Sequence, residues 1–259
     1  MAAQYAPKGL IGILTPQANT TVEPELAIIC PRGFATLHGR LTSPQPSLEA
    51  RLVDYFESLD QSIAQFADAP LTALSAACTG ASYLMGPARE DALFSRLSAE
   101  RGIPVSNSAY AVVAALRALN AQRIGLISPY PPSLTQASVR YWSDRGFSVA
   151  AVIAVTADTA EGHPIYSIAA NGAARALADM SKHCVDAVVI LGTGMPSLGP
   201  ILNMPSINGA PVLSCMLATA WDAVQRSLGA ALDAASLLEF IAGTEWRHRY
   251  IDRYGYAKN

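Results

Sequence analysis

The sequence predicts an α/β protein made of two Rossmann-like parallel-sheet lobes, and three observations carry that prediction. Short apolar runs alternate with helical stretches along the chain. The runs are apolar throughout rather than at every second residue. The pattern pauses near Leu119 and restarts at Arg123. Alternating strand and helix implies parallel strands joined by crossovers, and uninterrupted apolar strands imply sheets covered on both faces. The 259 residues suffice for one wide domain or for two half-sized ones sharing a cleft.

Residues 10–14 (LIGIL) are the first strand, closed by Thr15-Pro16. Residues 48–66 have helical periodicity, with Leu52, Tyr55, Phe56 and Leu59 on one side. Residues 71–77 form a second strand and Cys78-Thr79-Gly80 its exit loop. A helical stretch follows to Glu100, broken at Gly86-Pro87. Residues 103–105 are a short strand ending at Ser106-Asn107, and 109–119 an alanine-rich helix. After the restart, 124–127 is a strand closed by Ser128-Pro129-Tyr130, and 133–144 a helix stopped by Arg145-Gly146, a C-cap signal. Residues 147–155 are a strand, about 165–181 a helix, and 185–191 a very apolar strand ending in Gly192-Thr193-Gly194. Residues 212–214 are the last strand and 218–228 a helix.

Hydrophobic residues make up 51% of the chain and charged residues 15%, with a mean hydropathy of +0.24. A membrane span needs about 20 consecutive apolar residues, and Arg, Asp, Glu, Lys or Gln interrupts every candidate run. Low charge instead fits large buried faces, including a face buried against a second copy, so a homodimer or homotetramer is expected. Eighteen basic and 20 acidic residues leave a net charge of −2 without a basic stripe, which argues against a nucleic-acid partner. The N-terminus lacks the sections of a secretory signal. The four cysteines, Cys30, Cys78, Cys184 and Cys215, form neither a CxxC pair nor a metal-like cluster. A cytoplasmic, reduced protein is the expectation.

In open parallel sheets, ligands bind beyond the carboxyl ends of the strands. That rule gathers loops 15–19, 78–80, 106–107, 128–130 and 192–194 into one composite site, with Thr15, Pro16, Asn19, Thr79, Gly80, Asn107, Tyr130, Gly192, Thr193 and Gly194 as its candidates. Cys78 lies between a strand and a helix, where a helix N-terminus can lower a thiol pKa; the plainer reading is a small buried apolar residue. Thr79 and Gly80 offer a hydroxyl and amides for a carboxylate or enolate oxygen. The loop from Thr15 to Thr21 is either an anion nest or an ordinary turn into a helix cap. Cys215 follows a strand end as Cys78 does, but Met216 and Leu217 continue it apolar, which reads as burial. Of the histidines only His163, in Glu161-Gly162-His163-Pro164, lies in a strand-end segment. The chain has no HxH or HExxH pattern for a metal and no GxSxG elbow for a serine hydrolase. Its glycines form neither GxGxxG nor Walker A, so no nucleotide is expected. The run Trp246-Arg247-His248-Arg249-Tyr250 reads as solvated surface or a subunit contact.

One stretch is more specific: Ile11-Gly12-Ile13-Leu14-Thr15-Pro16-Gln17-Ala18-Asn19-Thr20-Thr21-Val22-Glu23-Pro24-Glu25. With Cys78-Thr79-Gly80, Ser128-Pro129-Tyr130 and the segment from Pro211-Val212 to Trp221-Asp222-Ala223-Val224, it resembles the Asp/Glu racemase superfamily, in the branch of maleate cis-trans isomerases and arylmalonate decarboxylases, over nearly the whole chain. The resemblance implies two similar lobes related by a pseudo-twofold axis, a buried cleft between them, no metal or organic cofactor, and an oligomer. The division it suggests is 1–119 for the first lobe, 120–211 for the second, and 212–259 packing back on the first.

In that family two cysteines can face each other across the cleft. Racemases use both; isomerases carry both, and the first-lobe cysteine adds to the substrate double bond. The first position falls on Cys78 here. The second falls on Gly192, or on Thr193 with a shift of one, and neither is cysteine. Decarboxylases keep the second-lobe cysteine with glycine in the first, so this sequence is their mirror image. A two-base racemase would lack an acid–base group on one face. By resemblance Asn19 binds one carboxylate and Tyr130 the other, while an isomerase-type asparagine is missing near Gly162-His163; Thr193 and His163 are the candidates to take over part of the missing second-lobe cysteine's role. The expected function is therefore cofactor-independent isomerisation of a maleate-like dicarboxylate through covalent addition of Cys78. The alternatives are decarboxylation of a malonate-like acid with Cys78 as proton donor, and non-catalytic binding of a small acid.

Overall fold

The computed structural model describes residues 3–157 and 165–255. Two parallel sheets form its framework. The first has the order β2-β1-β3-β4, with β1 (Gly9–Pro16), β2 (Phe34–Leu41), β3 (Ala73–Ala76) and β4 (Val105–Asn107). The second has the order β6-β5-β7-β9-β8, with β5 (Arg123–Ser128), β6 (Ser148–Ala154), β7 (Ala187–Ile190), β8 (Ser206–Ile207) and β9 (Ala210–Ser214). Only β8 pairs antiparallel, at the edge. Counted in chain order the first sheet is arranged 2-1-3-4 and the second 2-1-3-5-4, so the two share the arrangement 2-1-3 and the second adds a short antiparallel edge strand.

Side chains alternate across each strand. Ile11 and Ile13 enter one core and Leu14 the other; Val188 and Ile190 enter one, Ala187 and Val189 the other. Helices cover both faces, as the continuous apolar runs require. The first sheet is followed by α1 (Val22–Ile29), α2 (Leu48–Glu57), α3 (Leu59–Ile63), α4 (Gly80–Met85), α5 (Pro87–Arg101) and α6 (Ser108–Ala118). The second carries α7 (Pro132–Asp144), α8 (Ala170–Met180) and α9 (Leu198–Asn203), and the chain closes with α10 (Cys215–Leu228), α11 (Ala234–Ala242) and α12 (Thr244–Tyr254).

Several expectations are corrected in detail. The periodicity of 48–66 is divided at Ser58, where the chain leaves α2 and starts α3, and Ala64–Phe66 closes in a 3₁₀ turn. The helix expected from 218 begins at Cys215, because the Ser214 hydroxyl accepts from the Leu217 amide and caps it. Every residue of α10 from Cys215 to Val224 is buried, as for a helix enclosed on all sides. It packs on α6, β1 and β3 although it leaves from β9. The chain thus returns to the first sheet with α10. Trp246 is buried, with its indole N–H donating to the Phe240 carbonyl, so the C-terminal run is not plain solvated surface. Among the described residues no helix is long and apolar enough to cross a membrane.

Candidate active site

The carboxyl ends of β1, β3, β5, β7 and β9 meet. The junction is built from hydrogen bonds between residues that follow strands of different sheets. Asn19, after β1, donates from Nδ2 to Thr193 Oγ1 at 3.2 Å, and Thr193 donates to the Ala77 carbonyl at 2.8 Å. Thr21 donates to the Gly194 carbonyl at 2.8 Å. Thr79, after β3, and Tyr130, after β5, place their hydroxyls 2.5 Å apart. Cys78, Thr79, Asn19, Thr193 and Cys215 are all buried.

Each loop has a local reason for its path. The Asn19 amide closes a turn on the Pro16 carbonyl, and its side-chain oxygen accepts from the amides of Thr21 and Val22, which start α1. This is an Asx-type turn into a helix, so the cap and the binding loop are one structure and the second N–H of Asn19 Nδ2 is still available. Pro16 ends β1. Thr15, fully buried, has a hydroxyl without a hydrogen-bond partner among the described residues. Gly80 opens α4 against Leu52, where a Cβ would come within 2.8 Å of Leu52 Cδ1. Gly194 lies under Tyr166, whose ring a Cβ would meet at 2.4 Å. Gly192 has a φ of +82° and passes Pro129 so closely that a Cβ would lie 2.6 Å from its Cγ.

Two expectations change. Cys78 does sit just before α4, and the amides of Ala81 and Gly80 are directed at its sulfur. Burial nonetheless outweighs them and pushes the thiol up to about 11, because a six-residue helix offers little against the loss of water. Asn107 is placed beside the junction but is committed elsewhere. Its oxygen accepts from the amides of Ala109 and Tyr110 to cap α6, and its Nδ2 donates to buried Glu90 at 2.8 Å. It shapes the framework rather than presenting a free amide. His163 lies outside the described residues.

Cys215 is brought into the site. The Gly192 amide and the Thr79 hydroxyl are directed at its sulfur, and burial raises its pKa to about 12 despite them, with Cys78 close enough to add to the rise. The sequence reading also missed a ring of tyrosines. Tyr83 in α4 packs edge-on to Tyr130 with centroids 5.9 Å apart, and its hydroxyl is buried beside Thr79. Tyr55 in α2 and Tyr166 before α8 are both close enough to Cys78 for its charge to raise their pKa values, after burial, which is the larger cause. The signals were present: Tyr83 is in the first turn after Cys78-Thr79-Gly80, and a serine cap at Ser214 places Cys215 in the first turn of α10.

Among the described residues no group of three or more His, Cys, Asp or Glu side chains could hold a metal ion. The site offers thiols, hydroxyls and amides, which suits chemistry at a carbon next to a carboxylate, where negative charge is held by hydrogen bonds.

The comparisons agree with that chemistry. A family model described as arylmalonate decarboxylase matches residues 11–238. The maleate isomerase of Nocardia farcinica (strain IFM 10152) is 31% identical over 231 residues, covering 84% of this chain and 89% of its own. Among solved structures, a cysteine-to-serine mutant of the Nocardia farcinica maleate cis-trans isomerase, with a covalently bound succinylcysteine intermediate, aligns with a TM-score of 0.72 at 27% identity over 88% of this chain and 98% of that one. Unliganded arylmalonate decarboxylase aligns with a TM-score of 0.68 at 19% identity over 86% and 94%, a likeness of fold. With its strand order, its composite site at the strand ends and these matches, the chain belongs to the arylmalonate decarboxylase family.

Proposed function

We propose that this protein is a cis-trans isomerase of a maleate-like unsaturated dicarboxylate, working by covalent addition of Cys78 without a cofactor. Each sheet with its helices is taken as one lobe of a pseudo-twofold pair, 1–119 and 120–211, with the chain after β9 returning to the first and the substrate held in the cleft between them. The observation that carries the reading is the Cys78 thiol at the end of β3, faced by the Gly80 and Ala81 amides and flanked by the joined hydroxyls of Thr79 and Tyr130.

The steps follow from that setting. Cys78 passes its proton to a substrate carboxylate, taking it back when the product leaves, and the thiolate so formed attacks one alkene carbon, forming a C–S bond, while the π pair moves to the neighbouring carbon and into its carboxylate as an enediolate. The former double bond is then single and turns. Return of the electron pair re-forms the alkene in its trans geometry and expels the thiolate. Hydroxyls of Thr79 and Tyr130 and the free N–H of Asn19 hold the charge on the carboxylates. Burial that keeps Cys78 protonated also protects the thiolate from water once formed. A succinylcysteine intermediate in the similar Nocardia farcinica isomerase supports the covalent step. As an exposed apolar set, Leu37, Leu228 and Leu238 support self-association into a homodimer or homotetramer, and the reduced thiols suit the cytoplasm.

The test is proton NMR and intact mass of wild type and Cys78→Ser with maleate and, separately, with an arylmalonate. Fumarate from wild type, and none from Cys78→Ser, is expected. Loss of a carboxyl group from the arylmalonate, with maleate untouched, would replace the isomerase by a decarboxylase that uses Cys78 as proton donor.

A further inference from the structure

Helix α1 grips the loop after β7 at two points one helical turn apart. Thr21, its N-cap, donates to the Gly194 carbonyl at 2.8 Å. Glu25 accepts from the Ser197 amide at 2.6 Å, from the Leu198 amide at 3.2 Å and from the Ser197 hydroxyl at 2.9 Å. Thr193, the residue before Gly194, reaches Asn19 and the carbonyl of Ala77, which precedes Cys78. Two side chains of α1 thus fix the loop whose bonds set Asn19 and the start of the Cys78 turn. Ser197 adds a second observation. Its hydroxyl lies 2.9 Å from Glu25 Oε2 and 2.8 Å from Ser214 Oγ, the cap of α10. A hydroxyl has one proton, so it donates to one of these at a time. With Glu25 charged, that proton faces the carboxylate. With Glu25 protonated, the carboxyl donates to Ser197 Oγ and the Ser197 proton turns to Ser214.

We propose that Glu25 is a positioning residue of the active site: its charged carboxylate holds the 193–198 loop, and with it Thr193 and Asn19, in the working arrangement, and its protonation turns the Ser197 hydroxyl to Ser214 and slackens that hold. The inference rests on the isomerase reading for the reaction it affects, whereas the change in the loop does not depend on the substrate. Amide bonds to a charged acceptor are about twice as strong as those to a neutral one, so loss of the charge weakens both amide bonds together. Burial raises the Glu25 pKa from 4.5 to about 7, which puts the change within the ordinary working range of pH. A cavity of about 290 Å³ lies against Glu25, between Pro196 and the rings of Tyr250 and Tyr254, and gives the proton a way to solvent.

The other ionisable groups on the elements packed against α1 are engaged elsewhere or neutral in that range. On α12, Tyr250 feels the Glu25 charge, and Arg249 is taken up by the Ile28 and Cys30 carbonyls. On β2, His38 and Arg40 face Glu23, and Arg40 pairs with it. Helix α9 carries no ionisable side chain. On α10, Cys215 adjoins Ser214 and Asp222 pairs with Arg226. Ionisation of Glu25 therefore has two effects of opposite sign. It costs the fold stability, since a charge is buried, and it tightens the loop.

Wild type, Glu25→Gln and Ser197→Ala are compared across the pH range around neutrality. The amide resonances of Thr193, Gly194, Ser197 and Leu198 are followed by nitrogen–proton NMR, and kcat and KM for maleate by proton NMR. In wild type the four amides should shift together with a midpoint of about 7, and kcat should rise through that midpoint while resistance to urea falls. Glu25→Gln should abolish the shared shift and the step in kcat, with kcat lowered roughly tenfold and KM changed less than ~threefold. Ser197→Ala keeps both amides and removes a donor to the charged form, so its midpoint should lie above the wild-type one. Should Glu25→Gln fail to fold, that midpoint carries the test, and an unmoved value overturns the proposal. A merely structural Glu25 would lower kcat in the Gln variant at every pH and leave the step in place, which also overturns it. So does a titration of Ser197 and Leu198 that leaves Thr193 and Gly194 still, because the change then stops short of the site. If wild type leaves maleate untouched, the isomerase reading fails and the amides alone decide. A shared midpoint that is lost in Glu25→Gln upholds the positioning role, and its absence in wild type refutes it.

Discussion

The hydroxyls of Thr79 and Tyr130, 2.5 Å apart, form a donor pair whose outer proton can reach a carboxylate oxygen. Tyr130→Phe keeps the ring that packs on Tyr83 and removes only this donor. Its expected effect is a fall of roughly 10–100-fold in kcat/KM, with a stability loss near ~1 kcal/mol for the unpaired Thr79 hydroxyl; steady-state rates and a urea titration check both. Glu25 is a residue of another kind. It accepts from the Ser197 and Leu198 amides and from the Ser197 hydroxyl, which in turn contacts Ser214, the cap of α10. Burial outweighs these donors and raises its pKa from 4.5 to about 7. A folded-state pKa above the unfolded one means that the native state holds the extra proton. The stabilisation is then fully present below pH ~4.5 and is lost as pH rises through about 7. Glu25→Gln, which keeps shape and cannot ionise, should flatten the stability profile across that window, removing a slope worth up to ~3 kcal/mol in total. Urea midpoints for wild type and variant between pH 5 and 8 measure it, and parallel curves would show that Glu25 stays charged throughout.

At the scale of elements, the path of the loop after β7 is set by Gly192. Gly192→Ala puts a methyl group against Pro129 in a left-handed backbone, and a loss of about 1–3 kcal/mol is expected from strain and overpacking. Activity should fall further than stability, because the adjacent Thr193, which joins Asn19 to the Ala77 carbonyl, would be displaced; comparing thermal midpoint with kcat separates the two. The elements themselves were unequally legible. β1, β5 and β7 were evident because strands buried on both faces read as unbroken apolar runs. β2, the edge strand Phe34–Leu41, is mostly half-exposed and contains His38, Gly39 and Arg40, so periodicity did not mark it. The start of α10 was placed three residues late because Cys215, Met216 and Leu217 look like a strand continuing, whereas the deciding signal is the single Ser214 cap. Cys215, offered by the sequence as a possible site residue but read first as burial, is in fact buried at the first position of α10. The strand-end rule alone grouped the loops 15–19, 78–80, 128–130 and 192–194, which the fold does bring together. The bond from Asn107 to Glu90 was not legible, because Glu90 lies on a helix that sequence cannot orient.

At the scale of the whole molecule, helices of the two sheets are tied by a buried ionic cluster as well as by the site. Glu90, on α5, is fully buried and ion-paired with Arg145, which ends α7 and also pairs with Asp91 at 2.7 Å. The same carboxylate accepts from Tyr141 at 2.7 Å and from Asn107 at 2.8 Å. Every oxygen of Glu90 therefore has a donor, and one of those donors caps the helix on which α10 packs. Removing the cation alone leaves a buried carboxylate held by two neutral donors, and the desolvation already suffered by Glu90 is no longer offset. Arg145→Met should therefore destabilise the protein by about 3–5 kcal/mol in urea or thermal unfolding. Adding Glu90→Gln removes the stranded charge while keeping an acceptor for Asn107 or Tyr141. The double variant should then recover a large part of the loss and lie well below the sum of the singles, as coupled partners do. Strict additivity in that cycle would mean that the cluster is screened by water and that the halves are joined chiefly by apolar packing around α10. A large coupling energy would make Glu90 and Arg145 a joint that holds α5 and α7 in register, and with them the strand ends that carry Cys78 and Tyr130.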